Sequence, residues 1–441
     1  MQHLYKLFII VLFFSNLHAF EERIKEPIFN EYVYVKTAGN PNKETIVFIH
    51  GLGSDASLIW NKTIQKLQKE YYIITFDLPG FGQSSKSKQL YSPENYTRLI
   101  FYLTNKYCTK PFYLVGHSMG GALALNFTAK HFGMVKKLML IDVAGILYKE
   151  AYSNFLITAR IDKIFNTQFS NQTNDSKWVT SFSNFMNKIG NWFSLNMDEF
   201  VSTSTPEVIA GYTLGIKDFS QVIPKIDVPT FILWGQEDSV APLRTGYILN
   251  KMIPNSTLKI ITSSGHVPMR DAYDEYFSFL NVFLHKEITP HDTQQTFQTF
   301  KKVLRLDKKS NQIISGEYEK IILYNCKNIV IENAKINHLE VFNSSVHILN
   351  STFFAPKTAI ESRNASLLIT ATDIYAQVGI KANSSRLDLA GTYFYTSVDA
   401  IENAKSNENT HVIFSLSKLM DKNGNQKSLH GKYILTHSQS L

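Results

Sequence analysis

Cysteine is nearly absent from this chain of 441 residues, with only Cys108 and Cys326 present. Two thiols in segments of different texture make no disulfide framework, and two separate buried thiols are expected. Long apolar runs are also missing at the N-terminus, where Leu7 to Phe14 gives eight apolar residues. That is too few to span a bilayer, which takes ~20. A formal charge of +8 could suit nucleic acid, yet no basic stripe interleaved with aromatics accompanies it. Only Lys301, Lys302, Arg305, Lys308 and Lys309 cluster, and a solvated linker face accounts for them, so no nucleic-acid partner is expected.

What is present is the composition of a folded protein, 44% hydrophobic and 13% aromatic. The length exceeds one compact core, so two or more domains are expected. Lys6 before the short apolar run, and Ser15 to Ala19 after it, read as a cleavable signal peptide over residues 1–19. Export to the periplasm, the outer surface or the medium follows, with a retained anchor as the alternative. No cysteine follows the run, which argues against a bacterial lipoprotein.

The centre of the chain is Phe112-Tyr113-Leu114-Val115-Gly116-His117-Ser118-Met119-Gly120-Gly121. Its first part reads as a buried strand, and Ala122 to Phe127 reads as a helix. A strand entering Gly-x-Ser-x-Gly and leaving as a helix makes a tight turn that exposes a serine hydroxyl above a sheet. Gly116 and Gly120 leave room for that turn, where a Cβ would collide with neighbouring backbone.

Around it, apolar strands alternate with helices: Glu44–Ile49, Tyr71–Phe76, Lys136–Asp142, Val228–Trp234 and Leu258–Ile261 are the strands. Helices are expected near Ser57–Lys69, over Pro93–Lys106 with Ser92 as N-cap, and over Asp271–His285. Tyr32 to Val35 reads as an edge strand. Such alternation means a mostly parallel sheet covered on both faces. It lapses over about 147–225, where Phe182, Phe185, Trp192 and Phe193 have helical spacing and suggest a helical lid.

A hydroxyl becomes a good nucleophile when a base takes its proton. Ser264-Gly265-His266 follows the last strand and Gly235-Gln236-Glu237-Asp238 follows the one before it. The order Ser118, Asp238, His266 is therefore a candidate catalytic triad. His50-Gly51-Leu52-Gly53, Asp77-Leu78-Pro79-Gly80-Phe81-Gly82, the elbow, Trp234-Gly235-Gln236-Glu237-Asp238 and Gly265-His266 together resemble an α/β-hydrolase of the lipase and esterase type. The resemblance implies an oxyanion hole from the N–H groups of Leu52 and Met119. By the same resemblance His50 braces the oxyanion loop, Asp77 and Pro79 shape a turn, and no cofactor or metal is needed. An aspartate-nucleophile dehalogenase or epoxide hydrolase is excluded by Ser118. The Gly-Gly-Ser-Trp-Gly of proline iminopeptidases is not matched. Carbon–carbon hydrolase, haloperoxidase and acyltransferase chemistries stay open.

Beyond a polar linker over 288–316, short apolar alternations recur after polar bends at Asn325, Asn343, Asn364 and Asn383, spaced by 18, 21 and 19 residues. A near-constant period of that size with asparagine at the corner predicts a short right-handed parallel β-helix over 317–441. An antiparallel sandwich is the competing reading. The expectation is thus an exported two-domain protein, with the α/β-hydrolase domain over 20–287, acting on a small-molecule or lipid ester. The tail would contact a surface or glycan, and its removal would leave the chemistry intact. Two alternatives give the tail the function, as a surface-binding or structural protein or as a polysaccharide lyase using Asp373, Asp388 and Asp399.

Overall fold

The computed structural model describes residues 20–166, 197–288, 299–404, 408–420 and 424–441. Its first unit is an eight-stranded sheet in the order β1-β2-β4-β3-β5-β6-β7-β8. The strands are β1 (Phe20–Lys25), β2 (Tyr32–Ala38), β3 (Thr45–Ile49), β4 (Tyr72–Phe76), β5 (Phe112–His117), β6 (Val135–Ile141), β7 (Thr230–Gly235) and β8 (Ser256–Ile261). β1–β2 and β2–β4 are antiparallel, and the other pairs are parallel. Every residue of β4, β5 and β7 is buried, which explains their continuous apolar texture: helices cover both faces. β1 reads Phe-Glu-Glu-Arg-Ile-Lys, lies mostly exposed at the sheet edge, and gives no apolar pattern to read.

The helix Pro93–Tyr107 begins as expected, Ser92 Oγ accepting from the Asn95 N–H at 3.2 Å with Pro93 at the first position. The segment near Ser57 is a 3-10 turn, Ala56–Trp60, running into an α-helix, Asn61–Leu67. The first unit closes on a short helix Pro268–Asp271 and a longer one, Tyr273–His285. Within the insert 147–225 the described helices are Lys149–Asn166, Met197–Thr203 and Pro206–Gly215. Phe182, Phe185, Trp192 and Phe193 lie outside the described residues, as does the leader 1–19. Among the described residues no helix is long and apolar enough to cross a membrane.

The second unit is a stack of parallel strands of the β-helix type, which excludes the antiparallel sandwich. One inward rung runs Leu304, Ile321, Leu339, Ile360, Ile380, Ile401 through six successive levels. At ~4.8 Å per level the stack is about 24 Å long. A second rung runs Ile329, Val346, Leu367, Leu387, Val412. Asn325, Asn343 and Asn364 take positive φ at the corners, as their residue type foretells, and at the fourth corner Ser384 takes it in place of Asn383. The corner amides bond up the stack, Asn343 Nδ2 donating to Asn325 Oδ1 and Asn364 Nδ2 to Asn343 Oδ1, both at 3.3 Å. The last strand, Gln426–Leu435, pairs antiparallel with Thr410–Met420.

The expected linker 288–316 needs correction, because Val303–Asp307 and Ile313–Tyr324 are already paired strands of this stack. Lys301, Lys302, Arg305, Lys308 and Lys309 around Val303, Leu304 and Leu306 give that stretch its solvated texture. The two units are packed together: Ala390 and Leu416 of the tail are buried in the same apolar cluster as Ile248 and Leu249. Cys108 and Cys326 are both free, Cys326 buried and Cys108 partly so.

Candidate active site

Every candidate residue sits at the carboxyl edge of the first sheet, where loops leave parallel strands. Ser118 follows β5, between β3 and β6, with φ 54° and ψ −121°. A non-glycine residue in that region is strained, and the packing around it holds the strain in place. Only glycine fits beside it: a Cβ on Gly116 would lie 2.4 Å from the Gly120 carbonyl oxygen, and one on Gly120 2.3 Å from that of Ile49.

Three side chains expected to meet do so. Ser118 Oγ donates to His266 Nε2 at 2.9 Å, and His266 Nδ1 donates to Asp238 Oδ2 at 2.8 Å. The other carboxylate oxygen, Asp238 Oδ1, accepts from the N–H groups of Val240 at 2.7 Å and Ala241 at 2.9 Å. Glu237, the adjacent acid, is exposed. Ser118, His266 and Asp238 are all buried, so the charge that develops on the imidazole is held in a poorly screened setting. Gly235 makes the meeting possible: a Cβ there would stand 2.0 Å from the Gly265 carbonyl oxygen, so the loops after β7 and β8 cross in contact.

Asp142 ends β6 with φ 45°, fully buried, and its Oδ1 accepts from the Gly235 N–H at 2.8 Å. Burial, then the neighbouring Asp238 charge, raise its pKa well above the ordinary carboxylate value. Asp142 is thus held neutral, and Asp238 is the carboxylate that touches the histidine. Among the described residues, Asp142, Asp238 and His266 form one of two groups whose potential metal-ligand atoms lie within 4.8 Å of one another. Of these atoms Asp238 Oδ2 and His266 Nδ1 already bond each other, and Asp142 Oδ1 takes the Gly235 N–H. The other group, His338, Glu340 and Glu361 on the tail, has the Lys320 ammonium on Glu340 at 2.6 Å.

The loop after β3 is braced as expected. His50 Nδ1 donates to the Gly51 carbonyl at 2.7 Å, and its Nε2 accepts from the Leu78 N–H at 2.9 Å. Burial lowers the His50 pKa, keeping the ring neutral and able to do both. Gly51 meets the serine so closely that a Cβ would lie 2.6 Å from Ser118 Cβ, which brings the loop that carries Leu52 up to Ser118. Met119 is the first residue of the helix Met119–Lys130, so its N–H has no intrahelical acceptor. Asp77 holds its turn through the N–H groups of Ser57 at 2.9 Å and Gln83 at 2.7 Å.

Two residues carry roles the motifs did not disclose. His117 Nε2 donates to the His266 carbonyl at 2.7 Å, pinning the histidine's own backbone, and burial pushes its pKa down to about 3. Its position inside Gly-x-Ser-x-Gly was the available signal. Tyr152, in the insert's first helix, donates its hydroxyl to the Val240 carbonyl at 2.7 Å, two residues past Asp238. No local pattern marks that tyrosine.

Fold and site together define a hydrolase. The family profile described as alpha/beta hydrolase fold matches residues 44–272, just over half of the chain, and the chain belongs to that family. It is 27% identical over 264 residues to Lipase 1 of Psychrobacter immobilis, covering 56% of this chain and 78% of that one. It is 26% identical over 251 residues to Lipase 3 of a Moraxella species, covering 54% and 78%. A solved esterase from Exiguobacterium antarcticum superposes with a TM-score of 0.44 at 21% identity, covering 58% of this chain and 96% of that one.

Proposed function

We propose that this α/β-hydrolase cleaves carboxylic esters through an acyl-enzyme on Ser118. The observation that carries the reading is the unbroken hydrogen-bonded line Ser118–His266–Asp238 beneath an oxyanion loop. Ser118 Oγ attacks the ester carbonyl carbon while His266 Nε2 takes its proton, and Asp238 balances the imidazolium. The carbonyl oxygen gains negative charge and accepts from the N–H groups of Leu52 and Met119, each worth roughly 3 kcal/mol in the transition state. The tetrahedral intermediate collapses, and His266 returns the proton to the leaving alcohol. Water then attacks the acyl-serine, His266 takes its proton, and Ser118 regains one as the acid leaves. Each proton travels through His266, so the cycle closes without a metal or an organic cofactor.

The substrate class is a small-molecule or lipid ester, a choice supported by the lipase names of the relatives. The reading that makes the tail a lyase is disfavoured by its acids, since Asp373 and Asp388 are engaged with Lys251 and Arg244. Export remains part of the proposal, and N-terminal sequencing should find a mature chain beginning near residue 20. A fluorophosphonate probe tests the chemistry. It should label the protein, with labelling lost in Ser118→Ala, and a panel of para-nitrophenyl esters should be turned over. Labelling that persists in Ser118→Ala overturns the assignment.

A further inference from the structure

Among the described residues, two contacts between the β-helix and the hydrolase lead to the loop after β7 that carries Asp238. The helix Arg244–Met252 starts six residues after Asp238, and it lays one face on the tail. Arg244, Ile248 and Lys251 are spaced so as to share that face. Arg244 Nη1 and Nη2 donate to the two carboxylate oxygens of Asp388 at 3.0 and 2.9 Å, in a pair only 7% and 16% exposed. Lys251 pairs with Asp373 at 2.7 Å. Between them Ile248 meets Gly391, where a Cβ would lie 3.1 Å from Ile248 Cγ2 and φ is +60°. Two turns of one helix are thus fitted to neighbouring coils of the β-helix.

The second place is the insert's base. The Tyr148 N–H, at the entry root, donates to Ser415 Oγ at 3.0 Å, and the Tyr148 ring meets His430 edge-on with centroids 5.1 Å apart. The same His430 lies 3.8 Å from the Asp218 carboxylate, at the exit root. One residue of the terminal strand therefore contacts both ends of the insert. One helical turn beyond Tyr148, Tyr152 bonds the Val240 carbonyl, and the Val240 N–H bonds Asp238.

We propose that the β-helix is a working part of the hydrolase, anchoring both roots of the insert and the helix after the acid loop, so that turnover at Ser118 depends on tail residues. His430, Asp388 and Arg244 are positioning residues. They reach the triad through Tyr148 and Tyr152 on one side, and through the segment 239–243 on the other. The claim rests on the ester-hydrolase reading for its kinetic part and on contacts alone for its structural part.

The test uses the full chain carrying Asp388→Asn, His430→Ala or Arg244→Lys, the last keeping the charge but losing the two-pronged fit. Measurements are made well below each variant's melting temperature: kcat and KM on a short para-nitrophenyl ester, and limited proteolysis in the root helices Lys149–Asn166 and Pro206–Gly215. Asp388→Asn and His430→Ala should each lower kcat about tenfold, while KM moves much less. His430→Ala should also speed cleavage of the root helices, and Arg244→Lys should lie between the others and the parent. The double variant Arg244→Met/Asp388→Leu removes a stranded charge, so it should melt higher than Asp388→Asn yet keep the low kcat. Folded variants with parental kcat and parental cleavage overturn the proposal. If the parent neither labels nor turns over esters while His430→Ala still speeds cleavage, the ester reading fails and the anchoring stands.

Discussion

Asp142 and Asp238 are two buried carboxyls beside one imidazole, and their hydrogen-bond surroundings differ. Asp238 accepts from two backbone N–H groups and the His266 ring. Asp142 has one N–H donor, from Gly235, and the Asp238 charge beside it, so it keeps its proton. The unfolded chain ionises this group near pH ~4. The folded state therefore binds the extra proton above that point, and stability falls as pH rises toward the folded-state value. Asp142→Asn keeps the carbonyl that accepts from Gly235 and cannot ionise. Its melting temperature should fall less than the parent's between about pH 5 and about pH 8, with kcat little changed; equal slopes would place the proton elsewhere. Ser118→Ala and His266→Ala should each lose up to ~10⁶ in turnover, and Asp238→Asn ~10⁴, measured on the same short ester. At this scale the hydrogen-bonded line Ser118–His266–Asp238 was legible because each member follows a strand in a fixed order. His117 and Tyr152 were not, since their partners are the carbonyls of His266 and Val240, and a carbonyl leaves no mark in a residue string.

At the scale of elements, the site depends on loops brought closer than side chains would allow. Gly235→Ala sets a Cβ 2.0 Å from the Gly265 carbonyl, with both partners on backbone that cannot swing aside. The expected cost is roughly 3 kcal/mol, and kcat should fall with it as the acid and histidine loops part. Gly215→Ala is the control: nothing lies within 4 Å of its Cβ, and it ends a helix. It should be neutral, or more stable by about 0.5 kcal/mol. Thermal melts of the two variants decide. The buried parallel strands were legible as apolar runs, and the solenoid by its asparagine corners. β1 and the strand Val303–Asp307 were not, because an edge strand with charged residues on its open face has the texture of a linker.

Taken whole, the chain is two units sharing one buried surface. A chain cut before Val303 would bare Ile248 and leave Arg244 and Lys251 without their carboxylates. The bared Arg244 and Lys251 regain water, but the apolar burial against the tail is lost at about 25 cal/mol per Å². The isolated hydrolase unit should therefore melt well below the intact protein, in place of the independence that the sequence suggests. Arg244 and Asp388 stand 144 positions apart, each an ordinary charged residue in its own segment, so only the folded chain pairs them.

An acyl group carried by Ser118 can be weighed. The protein is mixed with a para-nitrophenyl ester, quenched in acid within the first turnovers, digested and weighed. One peptide, containing Ser118, should be heavier by the acyl group, with no such adduct in Ser118→Ala. An unmodified Ser118 peptide during sustained turnover, or turnover that survives Ser118→Ala, would contradict an acyl-enzyme on Ser118.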